Sequence, residues 1–492
     1  MSAEPAAAAV GAPAATASDG VRRAGVPLGA VVAIACTAQF MVVLDTTIVN
    51  VALPDMRRAL DLSVAGQQWV VTAYLVTFGG FLLLAARASD LLGRRLVFQA
   101  GLVVFSLASL AGGLAGNGAT LLAARAVQGL GAAALAPASL SLITASHHEP
   151  ADRTRALSVW SAAASSAGAA GMILGGVLTD GLSWRWVLFV NVPIGLALYL
   201  ATVRLLATSA PSRERRLDLP GAVLITAAVA ALVFGISRAT QSGWGSAEVV
   251  ASLVGTAVLL GVFVLVETRV AQPLIPPSIY RHHNLRLANL ITAALGALMT
   301  STIFFLSVYQ QQLLGYSPLR TGLSLVPWTL VLVVGTFAAR RLMPLLRPVP
   351  LLVLGSLCTA SGLVWLSWLP ASPAYLTHVL GPTIVLGVGM SLVVLPVTVL
   401  ATSGVAPTEA GLASGLLNMG RQIGGALGLA ILVTVATTVT NHTHGPGATA
   451  TVHGYHIALR VAAGLSAATA LGALRLLARR PAEPEPHPSR PG

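Results

Sequence analysis

The chain has 492 residues, of which 55% are hydrophobic and only 9% charged, and its mean hydropathy is +0.81. A soluble globular chain carries about 25% charged residues, so this composition excludes an ordinary soluble domain and requires contact with lipid. The net charge of +13 does not point to nucleic acid, because all 29 basic residues are arginines set in short clusters between apolar runs rather than in one stripe.

The first stretch, 1–25, is rich in Ala with Pro, Gly and Ser. It lacks the charged-then-apolar order of a cleavable signal, so it reads as a disordered cytoplasmic tail. A second tail is expected over 479–492. Between them, cutting the sequence at charge and Pro/Gly clusters leaves apolar runs near 28–53, 67–86, 95–115, 119–144, 156–178, 186–207, 219–237, 247–267, 287–310, 321–340, 349–369, 376–403, 411–439 and 455–477. Each reaches the roughly 20 apolar residues that a spanning helix needs, or nearly so. The reading is an all-α integral membrane protein with 14 transmembrane helices.

An even count puts both termini on one side. With the termini inside, 21 arginines fall in cytoplasmic segments and six outside, while Arg125 and Arg421 lie within spans. The positive-inside bias therefore places both termini in the cytoplasm. LDLS (Leu60 to Ser63) follows span 1 and LGYS (Leu314 to Ser317) follows span 9, and spans 5 and 13 are both glycine-rich. This self-similarity predicts two six-helix pseudo-symmetric halves, 26–210 and 271–478, with spans 7 and 8 inserted as a pair over 211–270.

The polar residues inside spans carry the chemistry. LDTTIVNVALP (Leu44 to Pro54) holds Asp45, a carboxylate whose burial costs roughly 3 kcal/mol on insertion scales and more on an isolated helix. It lies ~13 Å below Pro54, and Arg125 of span 4 lies ~9 Å below that span's outer start, at 1.5 Å per residue. Embedded charges pair, so Asp45 and Arg125 are expected to meet. A static pair that only fixes packing is the competing reading. Against it stands the fact that Asp45 is the only acid well inside a predicted span, with Glu267 and Glu409 at span ends.

In the loop ARASDLLGRRLVF (Ala86 to Phe98), Asp90 and Arg94 stand four apart, on one face of a helix, and Gly93 is available for a tight turn. Span 4 reads LAARAVQGLGAAALAPASL. In span 5, Gly168, Gly171, Gly175 and Gly176 recur at three- and four-residue spacing, which permits close helix contact. Cys36 and Cys358, each in an apolar run, suggest neither a disulfide framework nor a metal site. The histidines of NHTHGPGATATVHGYH (Asn441 to His456) lack an accompanying carboxylate or cysteine and read as a solvated external loop. Neither a GxxxxGK phosphate loop nor a GxSxG elbow occurs, so neither direct ATP coupling nor a hydrolase is supported.

Taken in order, LDTTIVNVALP, SDLLGRR, RAVQGLGAA, WRWVLFVNVPIG (Trp184 to Gly195), GYSPLRTGLSLVP (Gly315 to Pro327) and GLASGLLNMGRQIGGALGLA (Gly411 to Ala430) resemble signatures of the major facilitator superfamily. The resemblance extends to its fourteen-span drug:proton antiporter family, the QacA-type multidrug exporters, and covers about residues 28–477. Three departures stand out. Ala86 replaces the glycine that opens the loop motif, and Met172 takes the place of the proline in the fifth-span antiporter motif. Spans 9 to 14 hold Arg421 and Arg460 but no interior carboxylate.

The resemblance implies the major facilitator fold and proton-coupled export of small, fairly apolar drugs or antibiotic-like compounds by alternating access. Such export needs no cofactor, the proton gradient being the energy source, and the protein would not be an enzyme. Asp45 and Arg125 would couple protons. Asp90, Gly93, Arg94 and Arg95 would form a cytoplasmic gate, and Gly171, Gly175 and Gly176 would pack span 5 at the domain interface. Gln128, Tyr309, Gln310, Asn418, Arg421 and Gln422 are candidates for the cavity wall. The expected partners are a small-molecule substrate, protons and membrane lipid, with no nucleic acid, and the protein is expected to act as a monomer in the cytoplasmic membrane. The rival readings are a proton-coupled importer or facilitator of a metabolite and a non-transporting membrane sensor.

Overall fold

A computed structural model describes residues 27–147, 149–207, 217–270, 273–370, 375–403, 405–406, 409–443 and 447–478. The two tails predicted as disordered lie outside the described residues. Within them the chain forms fourteen helices long and apolar enough to cross a membrane: α1 (Leu28–Ala59), α2 (Val64–Leu92), α3 (Arg94–Gly113), α4 (Gly118–Ser146), α5 (Ala151–Gly181), α6 (Trp186–Leu205), α7 (Leu219–Ser242), α8 (Ala247–Arg269), α9 (His283–Leu313), α10 (Pro318–Leu346), α11 (Pro348–Leu366), α12 (Tyr375–Thr402), α13 (Ala410–His442) and α14 (Gly447–Arg475). No β-strand occurs among the described residues. In lipid a helix satisfies its own backbone, and the orphan N–H groups at several helix starts are met by side chains: Ser63, Asn117, Ser246 and Ser317 each accept one.

Most helices outrun their apolar cores, and two differences matter. Helix α1 continues through Pro54 to Ala59 rather than ending at 53. Proline has no N–H to donate, so the carbonyl of Asn50 is released, and it accepts the Ser307 hydroxyl of α9 at 2.8 Å. Helix α14 starts at Gly447 rather than 455, which draws His453 and His456 out of the expected external loop into a helix. His456 Nε2 lies 2.6 Å from the Leu369 carbonyl. Helix α6 is interrupted at Val190, and the last turn of α9, Tyr309–Leu313, widens to a π-type turn.

Small residues let the backbones approach. On α4, a Cβ at Gly129 would stand 2.5 Å from the Tyr74 carbonyl of α2, and one at Gly131 would stand 2.6 Å from the Phe105 nitrogen of α3. Helix α5 meets α10 where a Cβ on Gly176 would lie 2.6 Å from Leu319 Cα, and Gly322 abuts the Met172 carbonyl. Helix α2 meets α13 where Gly79 faces Gln422 and Ile423. Helix α9 also grips α1 through Gln311 Nε2, which donates to the Val51 carbonyl at 2.8 Å. Helix α7 joins the α2/α13 seam from outside: Gln68 Nε2 donates to Ser237 Oγ at 3.2 Å, and Thr434 Oγ1 donates to the Ile236 carbonyl at 3.1 Å. Helix α8 packs on α7 and leaves apolar side chains such as Val254 and Val258 exposed, as a lipid-facing helix does.

Candidate functional site

Inside the bundle α1, α2, α3, α4 and α6 enclose one buried polar network. Asp45 is 0% exposed and Arg125 2%. Arg125 Nη1 donates to Asp45 Oδ2 at 2.6 Å, Gln128 Nε2 donates to Asp45 Oδ1 at 2.7 Å, and Asn191 Nδ2 donates to the same oxygen at 2.9 Å. Arg125 also reaches Gln128 Oε1 at 2.6 Å and the Val70 carbonyl through Nε at 3.1 Å, while its guanidinium lies 4.4 Å from the centre of the Tyr74 ring. Ser109 completes the set by accepting from Gln128 Nε2 at 2.6 Å. Gly129 and Gly131 explain the placement, since they seat Tyr74 and the Ser109 helix against the helix that carries Arg125.

Such a network is costly to open, because each charge has exchanged water for fixed partners in a low-dielectric interior. Every other acid in a described helix lies within four residues of a helix end. Asp45 is thus the one carboxylate held at depth among the described residues. Asn191, Ser109 and Tyr74 are functional candidates that sequence reasoning did not single out. Asn191 lies within the quoted stretch WRWVLFVNVPIG, and a polar amide in the middle of an apolar span was the available signal.

At the loop between α2 and α3, Gly93 has φ +96°, a conformation that side-chain-bearing residues rarely take, so the turn depends on glycine. Asp90 is exposed, and no ion pair joins it to Arg94 among the described residues. Arg95 Nη2 donates to the Val203 carbonyl of α6 at 3.1 Å. Gly171 faces Thr47 and Gly175 faces Ile48, both on α1, whereas Gly176 faces α10.

The six candidate cavity residues divide. Gln128 belongs to the Asp45 network. Tyr309 and Gln310 are buried, with Tyr309 OH donating to the Pro370 carbonyl at 2.6 Å and Ser324 Oγ donating to Gln310 Oε1 at 2.5 Å. Asn418 and Arg421 are exposed in the first half of α13, and Gln422 is half-buried.

Fourteen spanning helices joined through glycine-seated contacts, around a buried charge network, define the class: a multi-pass membrane transporter. A model described as Major Facilitator Superfamily matches residues 35–429, and the chain belongs to that superfamily. It is 46% identical to the cephamycin export protein CmcT of Amycolatopsis lactamdurans over 83% of this chain and 85% of that one. It is 42% identical to the puromycin resistance protein pur8 of Streptomyces alboniger, over 90% of each. Among solved structures, a bacterial homologue of the lysosomal transporter Spinster superposes with a TM-score of 0.65 at 16% identity, covering 93% of this chain and 99% of that one. A peptide transporter, POT, superposes at 0.66 and 15% identity, covering 91% and 94%. At such identities these two speak for the fold alone.

Proposed function

We propose that the protein exports small, fairly apolar, antibiotic-like compounds across the cytoplasmic membrane in exchange for protons. The observation that carries the reading is Asp45, sealed inside the bundle with three donors, one of them a cation. A carboxylate held there at such cost has a reason if it takes up and releases a proton during transport. The relatives named for cephamycin export and puromycin resistance support drug efflux as the direction and purpose.

In this reading both termini are cytoplasmic, and the segments 26–210 and 271–478 are six-helix halves that rock about a central cavity, with 211–270 as an inserted pair. Sealed as it is, Asp45 exchanges its proton only when Arg125 draws away and water or substrate reaches it. Asp90, Gly93, Arg94 and Arg95 gate the cytoplasmic side. Each inward proton supplies about 2.3 kcal/mol per 100 mV of potential. One monomer suffices, and no cofactor enters.

The test is expression in a drug-sensitive host lacking its own major pumps. The protein is expected to lower cellular accumulation of at least one antibiotic and to lose that effect when an uncoupler collapses the proton gradient. Accumulation that rises on expression would mean import, and the absence of any flux change across a broad panel would leave a non-transporting membrane role.

A further inference from the structure

One face of α13 is open where its neighbours are not. Its contacts with α9 run through Gly420, Gly424 and Gly428, which face Asn289, Ala293 and Ala297, and its contacts with α2 run through Gly415, Gln422 and Ile423, which face Leu83 and Gly79. Between these two lines, at the helix spacing of four and seven residues, lie Gly425, Arg421 and Asn418. At Gly425 the neighbours converge: a Cβ there would stand 2.7 Å from Thr300 Oγ1 of α9 and 3.4 Å from Leu75 Cδ1 of α2. One and two turns toward the start of α13 the space has opened, since Arg421 and Asn418 are both exposed. Arg421 therefore stands beneath the roof of a cleft between α2 and α9, eleven residues inside its helix.

Its charge is unanswered. Arg421 Nη2 donates to Asn418 Oδ1 at 2.6 Å, which uses one of the five guanidinium N–H groups and fixes the plane of the fork. No carboxylate pairs with it among the described residues, and Asp45, the one acid more than four residues from a helix end, is already held by Arg125. A cation eleven residues inside a spanning helix without a counter-ion favours an anionic ligand, and a planar fork with free donors fits a carboxylate two bonds at a time.

We propose that Arg421, oriented by Asn418, anchors a carboxylate of the transported compound, so that preferred substrates are apolar bodies bearing a single carboxylate. The physiological meaning rests on the export reading, while the binding can be tested without it. The full-length protein in lipid nanodiscs would be titrated with dansylglycine and with its neutral amide, dansylglycinamide, using the dansyl fluorescence as the signal. The acid is expected to bind about tenfold or more tightly than the amide. Arg421→Gln is expected to remove that preference while leaving the amide's Kd within about twofold, and Arg421→Lys to keep part of it. Should Arg421→Gln fail to fold, Asn418→Ala carries the test, with an expected loss of roughly threefold for the acid alone. Equal affinity for the two probes, binding of neither, or an acid preference indifferent to all three substitutions would overturn the proposal. Acid-selective binding without uphill flux in vesicles would keep the anchor and remove the export reading. Flux without acid preference would do the reverse.

Discussion

Removing Arg125 while Asp45 stays leaves a carboxylate in a dry interior with only amide donors, and breaking a buried pair in this way costs about 3–5 kcal/mol. Arg125→Leu is therefore expected to lower the thermal midpoint of the purified protein substantially, and adding Asp45→Asn to recover much of the loss, because the neutral amide no longer needs a cation. A double variant no more stable than Arg125→Leu alone would contradict this. The pair was legible in the sequence, since a charge inside an apolar run has few explanations and matched depth selects the partner. Asn191 was not. An amide in an apolar span is cheap enough to be ignored, and its partner lies 146 residues away in the chain.

At the scale of helices, glycines decide how near two backbones come. Gly176 leaves no room for a side chain against Leu319, whereas a Cβ on Gly168 of the same helix would meet nothing within 4 Å. Gly176→Val is expected to reduce transport by about tenfold or more, with Gly168→Ala within about twofold of wild type. Equal activities would mean that the α5/α10 contact is not tight in the working protein. Gly93→Ala forces a side chain into φ +96°, and a destabilisation of about 1–3 kcal/mol is expected in thermal unfolding. The number of helices was readable because each apolar run is near membrane thickness. Their ends were not: α1 runs on past Pro54, where Ser307 meets the carbonyl that proline leaves free, and α14 begins at Gly447, ahead of its apolar run.

Across the whole molecule, α1 with α9 and α5 with α10 meet near the Pro54 end of α1, through Asn50, Val51, Met172 and Gly176, while the cleft beside Arg421 opens away from that end. The alternating access proposed above requires these contacts to part. Cysteines placed at Val51 of α1 and Gln311 of α9, which meet across this seam, with Cys36 and Cys358 replaced by serine, and joined by a short reducible cross-linker, are expected to stop transport until the link is reduced; full activity while cross-linked would rule out separation at this seam. Export driven by protons passing through Asp45 is tested most directly in proteoliposomes of defined orientation with an imposed pH gradient, recording uphill movement of a compound to which the protein confers resistance together with the opposing proton flux. The two fluxes are expected to rise together in the wild type, and Asp45→Asn to abolish both while the protein still inserts and folds. An Asp45→Asn variant that still concentrated the compound against its gradient would contradict proton coupling through this carboxylate.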